Sequence, residues 1–255
     1  MFSVGGSGEL KATYHGQVAF SNELERTVST PRLDTYRRVT PDDAAAWALY
    51  RWNVELSAAW LPLMADTEVA LRNGIHLQLS SLLGRPDWWA SDRLALDDQT
   101  AENLADVVQK HQKKIAQGTV GAGKVVADLM FGTWVMLLGK GGRSALGRSI
   151  DYESNLWRPA VRFAFATGTT TRTGRPRRPT QEQVHRRSAN LQRIRNRVAH
   201  HEPIFNGIKS PGTNTMVPLL NVWDETVELL DWLCPELADL HRNERRVPQV
   251  YDKRP

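Results

Sequence analysis

Helix signals recur along almost the whole chain and constrain its fold more than any other feature. Apolar residues repeat at helical spacing in successive segments, and residues that cap or break helices bound each segment. Thr40 and Pro41 predict the N-cap and first residue of a long helix, which Pro62 is expected to bend or break. Runs with the alternating pattern of strands are nearly absent. The sequence therefore predicts an all-α bundle.

Further helices are predicted along the rest of the chain, in the segments 100–117, 155–166 and 219–233. The stretch KVVADLMFGTWVMLLG, residues 124–139, is apolar on nearly all sides, which is typical of one central helix buried by its neighbours. Thr180 and Gln183 have the spacing of a capping box, and Pro203 is expected to close the helix that they begin. Before that helix, TGTTTRTGRPRRPT predicts an exposed basic loop. Residues 1–31 are predicted to be weakly structured.

Net charge and cysteine content limit which partners and which cellular compartment the sequence fits. The formal net charge is +5 and the isoelectric point is about 9.5, which favours an anionic partner. Cys234 is the only cysteine, so no intrachain disulfide can form, and a reducing cytoplasm fits. The amino terminus lacks a signal-peptide pattern, and the most apolar stretch is interrupted by Asp128 and shorter than the roughly 20 residues of a membrane helix. We expect a cytoplasmic protein without membrane contact.

Motifs for metals and nucleotides are weak. The stretch GTVGAGKV nearly matches a phosphate-binding loop, but Val125 replaces the residue that binds magnesium, and a helical segment precedes it instead of a strand. No second histidine follows Glu202 at the spacing that zinc proteases use. The nine tryptophans are expected to anchor the core or an interface. The sequence therefore predicts no metal and no cofactor.

The segment RIRNRVAHHEPIF, residues 193–205, gathers arginines and histidines at the end of a predicted helix. Leu191, Ile194 and Val198 form an apolar stripe that should face the bundle. The polar residues should lie in three groups around it: Arg195 beside the stripe, Asn196 with His200 on another face, and Arg193, Arg197 and His201 on its other flank. The helix dipole accounts for some of this charge but not for the paired histidines. Arginine and histidine together are the groups that cleavage of RNA through its own 2′-hydroxyl requires.

The segment 193–205 and several segments before it resemble a known family. Arg195, Asn196, three residues and His200 match the Arg-Asn-xxx-His form of the R-x4-6-H motif of HEPN ribonucleases, and RNRVAHHEPIF resembles the signature of their Abi-like (abortive infection) branch. The segments YRWNVELSAAWLPLMADTEVALRNGI, RPDWW and DLMFGTWVMLL follow the order and approximate spacing of that family's amino-terminal helices. The resemblance defines an Abi-like HEPN helical domain at 32–240. It leaves the segment 1–31, a charged tail at 241–255 and an elaborated loop at 172–178 without counterparts.

The resemblance implies a HEPN-like helical bundle with additional helices. It also implies a metal-independent endoribonuclease of phage defence or of a toxin–antitoxin pair, acting as a homodimer whose two motifs share one cleft. An antitoxin protein or RNA would be a further partner. Because some relatives are inactive, the alternative is a catalytically inactive module that binds RNA or a partner protein. A helical DNA-binding regulator, with its arginine-rich helix in a major groove, is a second alternative.

Each candidate residue has an expected role on this interpretation. His200 would act as general base or acid, Arg195 would stabilise charge on the phosphorane, and Asn196 would orient the cleft. His201 would be either the second proton carrier or a structural neighbour. Glu68 and Arg72, one helical turn apart, are expected to form an ion pair that braces the site. Eight arginines are expected to contact RNA phosphates unless they only solvate the surface: Arg172, Arg175, Arg177, Arg178, Arg186, Arg187, Arg193 and Arg197.

Overall fold

A computed structural model describes residues 20–166, 169–170, 176–210 and 214–255, and these residues form an all-α bundle as predicted. Its helices are α1 (Asn22–Val28), α2 (Thr30–Arg37), α3 (Asp43–Leu83), α4 (Asp98–Ala116), α5 (Ala122–Asp128), α6 (Phe131–Leu137), α7 (Gln181–Ala199), α8 (Leu219–Leu233), α9 (Pro235–Glu244) and α10 (Arg246–Tyr251). Short 3-10 or π turns lie at Trp88–Ala90, Glu153–Trp157 and Val161–Ala164. Two antiparallel hairpins complete the described fold: β1 (Thr169–Thr170) with β2 (Pro176–Arg177), and β3 (Ile208–Lys209) with β4 (Met216–Val217).

Helix α3 lies at the centre of the bundle, where it contacts α2, α6, α7, α8 and α10. It runs for 41 residues through Pro62, so the prediction that Pro62 breaks the helix was wrong. The prediction that Thr40 caps it was also wrong, because the Asp42 carboxylate accepts a hydrogen bond from the Ala45 N–H instead. Large buried side chains on both sides of Pro62, including Trp60 and Leu63, hold the helix together despite the missing N–H.

The apolar stretch 124–139 forms α5 and α6 instead of the single predicted helix. Leu129 and Met130 have extended backbones between them, which lets α5 pack on α4 while α6 packs on α7. Asp128, the last residue of α5, pairs with Lys124 at 2.7 Å and with His111 of α4 at 2.8 Å. Hydrogen bonds from these two groups lower the pKa of Asp128 to about 2. The stretch that resembles a phosphate loop connects the two helices α4 and α5. It therefore lacks the preceding strand that a phosphate-binding loop has.

The core contains most of the tryptophans, as predicted. Seven of the nine are buried, namely Trp47, Trp52, Trp60, Trp88, Trp134, Trp157 and Trp232. Among the described residues, no helix is both long enough and apolar enough to cross a bilayer.

Both ends of the described chain contain helices. The segment predicted to be weakly structured includes α1 and the start of α2, while residues 1–19 lie outside the description. The predicted charged tail includes part of α9 and all of α10. Val247 is buried, and the Trp52 Nε1–H donates to the Val250 carbonyl at 2.7 Å. Apolar residues at helical spacing therefore attach the charged carboxyl-terminal segment to α3.

Candidate functional site

Helix α7 carries the candidate motif, and its start agrees with the sequence. The Thr180 hydroxyl accepts a hydrogen bond from the Gln183 N–H, and the Gln183 side chain accepts one from the Thr180 N–H. These bonds complete the predicted capping box. The predicted stripe is confirmed as well, since Leu191, Ile194 and Val198 are buried. The polar residues of the last two turns are left on the outer faces of the helix.

The end of α7 contains a left-handed residue that is not glycine. His201 has a φ of 55°. The Glu202 N–H donates to the Arg197 carbonyl at 2.8 Å, and the His201 N–H donates to the Val198 carbonyl at 3.1 Å. This is the Schellman arrangement, which normally places glycine at the left-handed position. The His201 carbonyl also accepts a hydrogen bond from Arg32 Nη1, so α2 holds the strained turn in place.

Two surface grooves lie beside the end of α7, and we call them groove A and groove B. Groove A lies between α7 and α3 and has a volume of about 600 Å³. It is lined by Tyr50, Asn53, Val54, Ser57, Ala58, Leu61, Met64, Arg195, Val198, Ala199 and His201. Groove B lies between α7 and the β3–β4 hairpin and has a volume of about 500 Å³. It is lined by Thr35, Arg193, Asn196, Arg197, Pro203, Phe205, Asn206, Ile208, Lys209 and Met216.

The motif residues divide between these grooves. Arg195 and His201 both line groove A, whereas Asn196 lines groove B. His200 is exposed at the C-cap and is among the described lining residues of neither groove. The expectation that His201 would lie with Arg193 and Arg197 was wrong, because the left-handed turn redirects the chain after α7.

The residue beside Arg195 is Glu68 of α3. Glu68 Oε2 lies 4.0 Å from Arg195 Nε, at the outer limit of an ion pair. The expected pair between Glu68 and Arg72 does not form, and Arg72 has no hydrogen-bond or ion-pair partner among the described residues. The Arg195 side chain is 44% exposed, so its outer nitrogens can reach a ligand. Glu68 is therefore an acidic neighbour of the motif arginine on a different helix.

Two of the arginines predicted to bind RNA are held by contacts typical of structural residues. Arg187 is buried, forms an ion pair with Glu228 of α8, and places its guanidinium 4.7 Å from the centre of the Trp232 ring. Arg178 Nη1 donates to the Phe165 carbonyl at 2.6 Å. These contacts favour a structural role for both side chains.

The remaining described arginines differ in their exposure and in the partners that their guanidinium groups contact. Arg186 is exposed and lies 3.4 Å from Glu225, and Arg193 Nη1 donates to the Lys209 carbonyl at 2.9 Å. Arg197 Nη1 donates to the carbonyls of Pro203 and Gly207. The side chains of the other three predicted arginines are not described. Arg172 and Arg175 lie outside the described residues, and only the backbone of Arg177 is described, in β2.

Groove B also contains residues that sequence reasoning missed. Asn206 lies in the turn after α7, and Lys209 belongs to β3, a two-residue strand that is too short for a strand period to mark a binding residue. The segment after α7 is positioned from two sides. Arg197 holds its carbonyls, and the Asn53 side chain of α3 accepts a hydrogen bond from the Ile204 N–H at 2.9 Å. The only sequence signal was proximity to the motif.

No family model, curated protein or solved structure matches the chain. The resemblance to HEPN ribonucleases therefore rests on the motif and its flanking segments alone. Within the described part of the chain, no three His, Cys, Asp or Glu side chains are grouped so that they could hold a metal ion.

Proposed function

We propose that the protein is a cytoplasmic, metal-independent endoribonuclease of the phage-defence or toxin type. The observation that carries this proposal is that Arg195 and His201 line the same open groove. Arginine binds phosphate oxygens and stabilises charge as it develops, and histidine exchanges protons near neutral pH. These two groups supply what RNA cleavage by its own 2′-hydroxyl needs.

In the proposed reaction, one histidine removes the proton of the 2′-hydroxyl, and the 2′-oxygen attacks the adjacent phosphorus. The bond to the 5′-oxygen breaks, and a second histidine donates a proton to that leaving oxygen. Arg195 stabilises the negative charge of the phosphorane. His201 in groove A and His200 on the same turn are the proposed proton carriers. The products are a 2′,3′-cyclic phosphate and a 5′-hydroxyl.

The test is to incubate RNA with the purified protein in EDTA and to analyse the ends of the fragments. We expect cleavage with the two end groups named above. Arg195→Ala, His200→Ala and His201→Ala should each lower the rate by about 100-fold or more, which is the usual contribution of a general acid or base and of one donor that stabilises developing charge. Arg93→Ala, which removes an exposed arginine far along the chain from the motif, is the control and should cleave normally.

A different dependence on metal would refute the mechanism. Activity that disappears in EDTA and returns with magnesium would show that a bound ion supplies the charge assigned to Arg195. An active His201→Ala protein together with an inactive His200→Ala protein would move the proton transfer to His200.

We also propose that two copies associate and join their motifs in one cleft. The exposed face of α3 supports this idea, because five apolar residues lie within an arc of about 80° on it. They are Val54, Ala58, Leu61, Ala65 and Val69. Three of them line groove A, so a self-complementary contact there would bring both copies of Arg195 close to the symmetry axis. An antitoxin protein or RNA is a further proposed partner.

A catalytically inactive module that binds RNA is the second candidate. The observation that favours it is the division of the motif, with Arg195 in groove A, Asn196 in groove B and His200 in neither. Such a protein would bind RNA with an affinity that falls as salt rises and would leave the RNA intact.

A further inference from the structure

Groove B has positive charge that the protein does not neutralise. Three cations line it, and no carboxylate is among its described lining residues. Arg197 is occupied, because it donates to backbone carbonyls and lies 3.6 Å from Glu202. Arg193 uses only Nη1, for the Lys209 carbonyl, and the Lys209 ammonium has no partner among the described residues. Arg193 and Lys209 are therefore free to bind an anion.

The same groove has an apolar part. Phe205 and Ile208 are buried in its floor, while Met216 of β4 is 45% exposed. An inorganic anion would gain nothing from an exposed thioether, whereas the flat face of a base would cover it. The volume of about 500 Å³ falls in the range of sites for small organic ligands, roughly 300–1,000 Å³.

We propose that groove B binds one nucleotide of single-stranded RNA, with its phosphate between Arg193 and Lys209 and its base over Met216. The exposed amides of Asn196 and Asn206 lie in the same groove and offer donors and acceptors to the edge of the base. A single strand is required, because a duplex keeps its bases stacked and paired.

This inference rests on the proposed function and extends it from the point of cleavage to the adjacent nucleotide. Asn196 follows Arg195 directly in α7, so the two grooves share the last turns of that helix as a wall. A strand whose reacting phosphate lies at Arg195 would continue over the helix end into groove B.

Binding to a 2′-O-methyl oligonucleotide tests the inference, since this probe lacks the attacking hydroxyl and stays intact. Lys209→Gln should weaken binding about tenfold and reduce the slope of log affinity against log salt by about 0.7, the value for one phosphate contact on a single strand. Met216→Ala should weaken binding about fivefold and leave that slope unchanged, because it removes only a sulfur–aromatic contact with the base. The matched control is Lys113→Gln, which removes an exposed lysine of α4 and should change neither quantity.

The outcomes separate this inference from the proposed function. Equal effects of Lys209→Gln and Lys113→Gln would overturn it, as would a folded wild-type protein that binds no oligonucleotide. Inorganic phosphate that competes as well as uridine monophosphate would overturn the base contact. Binding that depends on Lys209 in a protein that leaves ordinary RNA intact would support groove B and refute the ribonuclease. Melting temperatures of all variants should match wild type, which excludes misfolding as the cause.

Discussion

At the scale of single residues, His201 occupies a backbone position that glycine would fill at lower energy. A left-handed conformation costs an ordinary residue roughly 1–2 kcal/mol, and His201 adopts it with a φ of 55°. Strained residues persist where the surrounding structure holds them, and they concentrate at functional sites. The Arg32 hydrogen bond supplies that restraint here. The restrained turn therefore fixes where the His201 side chain lies, at the edge of groove A.

Glycine and alanine at position 201 separate strain from chemistry. We expect His201→Gly to be more stable than His201→Ala by about 1 kcal/mol, because only glycine relieves the left-handed strain. Both variants should lose cleavage, because both lack the imidazole. Thermal melts and an RNA cleavage assay measure the two effects. Equal stability of the two variants would argue against strain, and full activity of the glycine variant would exclude His201 as a proton carrier.

At the scale of elements, polar pairs join α7 to α8. Arg187 pairs with Glu228, and the Asn190 amide donates to Glu225 at 2.8 Å. Arg187 is almost fully buried, whereas its neighbour Arg186 is exposed. The two adjacent arginines therefore contribute differently to the attachment of the motif helix.

Replacing each arginine by alanine should reveal this difference. Arg187→Ala should lower the free energy of unfolding by about 2 kcal/mol, because it removes a buried guanidinium that packs on the Trp232 ring and pairs with the partly exposed Glu228. Arg186→Ala is the matched control and should change it by less than about 1 kcal/mol, as is usual for exposed pairs. Denaturant titration measures both. Similar losses would mean that the burial of Arg187 contributes nothing.

Stability should also depend on pH through His76 of α3. Burial lowers the pKa of His76, and the Trp88 Nε1–H donates to its Nδ1 at 3.1 Å, which requires that nitrogen to be unprotonated. The unfolded chain binds a proton as the pH falls through about 6.5, while the folded chain resists it. The free energy of unfolding should therefore decrease below that pH.

Denaturant titrations between pH 7.5 and about 5 measure this decrease. His185, whose pKa is lowered by burial and by Lys140, acts in the same direction. In the double variant His76→Gln, His185→Gln, the free energy of unfolding should depend much less on pH, because glutamine cannot be protonated in this range. An unchanged pH dependence in the double variant would mean that other titrating groups cause the decrease.

The sequence predicts α7 and α8 well, because the capping box of α7 and the apolar spacing of both helices are local properties. It fails where packing between elements decides the outcome. Pro62 stays inside α3 because buried neighbours compensate for it, and the stretch 124–139 divides into two helices that both contact α3 and α4, of which α6 also packs on α7. The motif is visible as residue types at a fixed spacing. The sequence does not show which groove each motif side chain enters, because this depends on the left-handed turn at His201 and on segments distant in sequence.

At the scale of the whole molecule, the apolar face of α3 is the contact surface of the proposed dimer. Leu61 is 54% exposed within the apolar arc, whereas Leu77 is 64% exposed on another side of the same helix. Leu61→Asp should dissociate the dimer, and Leu77→Asp, the matched control, should leave it intact. Sedimentation equilibrium measures the masses. A wild-type monomer at all concentrations would refute the dimer.

A shared cleft makes a further prediction about mixtures. Excess Arg195→Ala protein, exchanged with wild type, should reduce cleavage beyond simple dilution, because mixed dimers contain only one intact motif. The Leu61→Asp form of the same inactive protein is the control and should not inhibit. Activity that follows dilution alone would mean that each copy cleaves RNA by itself.

Pro62 also alters the surface of the helix that contains it. Proline has no N–H, so the carbonyl of Ala58 cannot receive its usual hydrogen bond from the residue four positions later. Ala58 lines groove A. Helices normally leave carbonyls without helical donors only in their last turn, whereas α3 has one in its middle. The residue whose carbonyl loses its usual helical donor therefore lies in the same groove as Arg195.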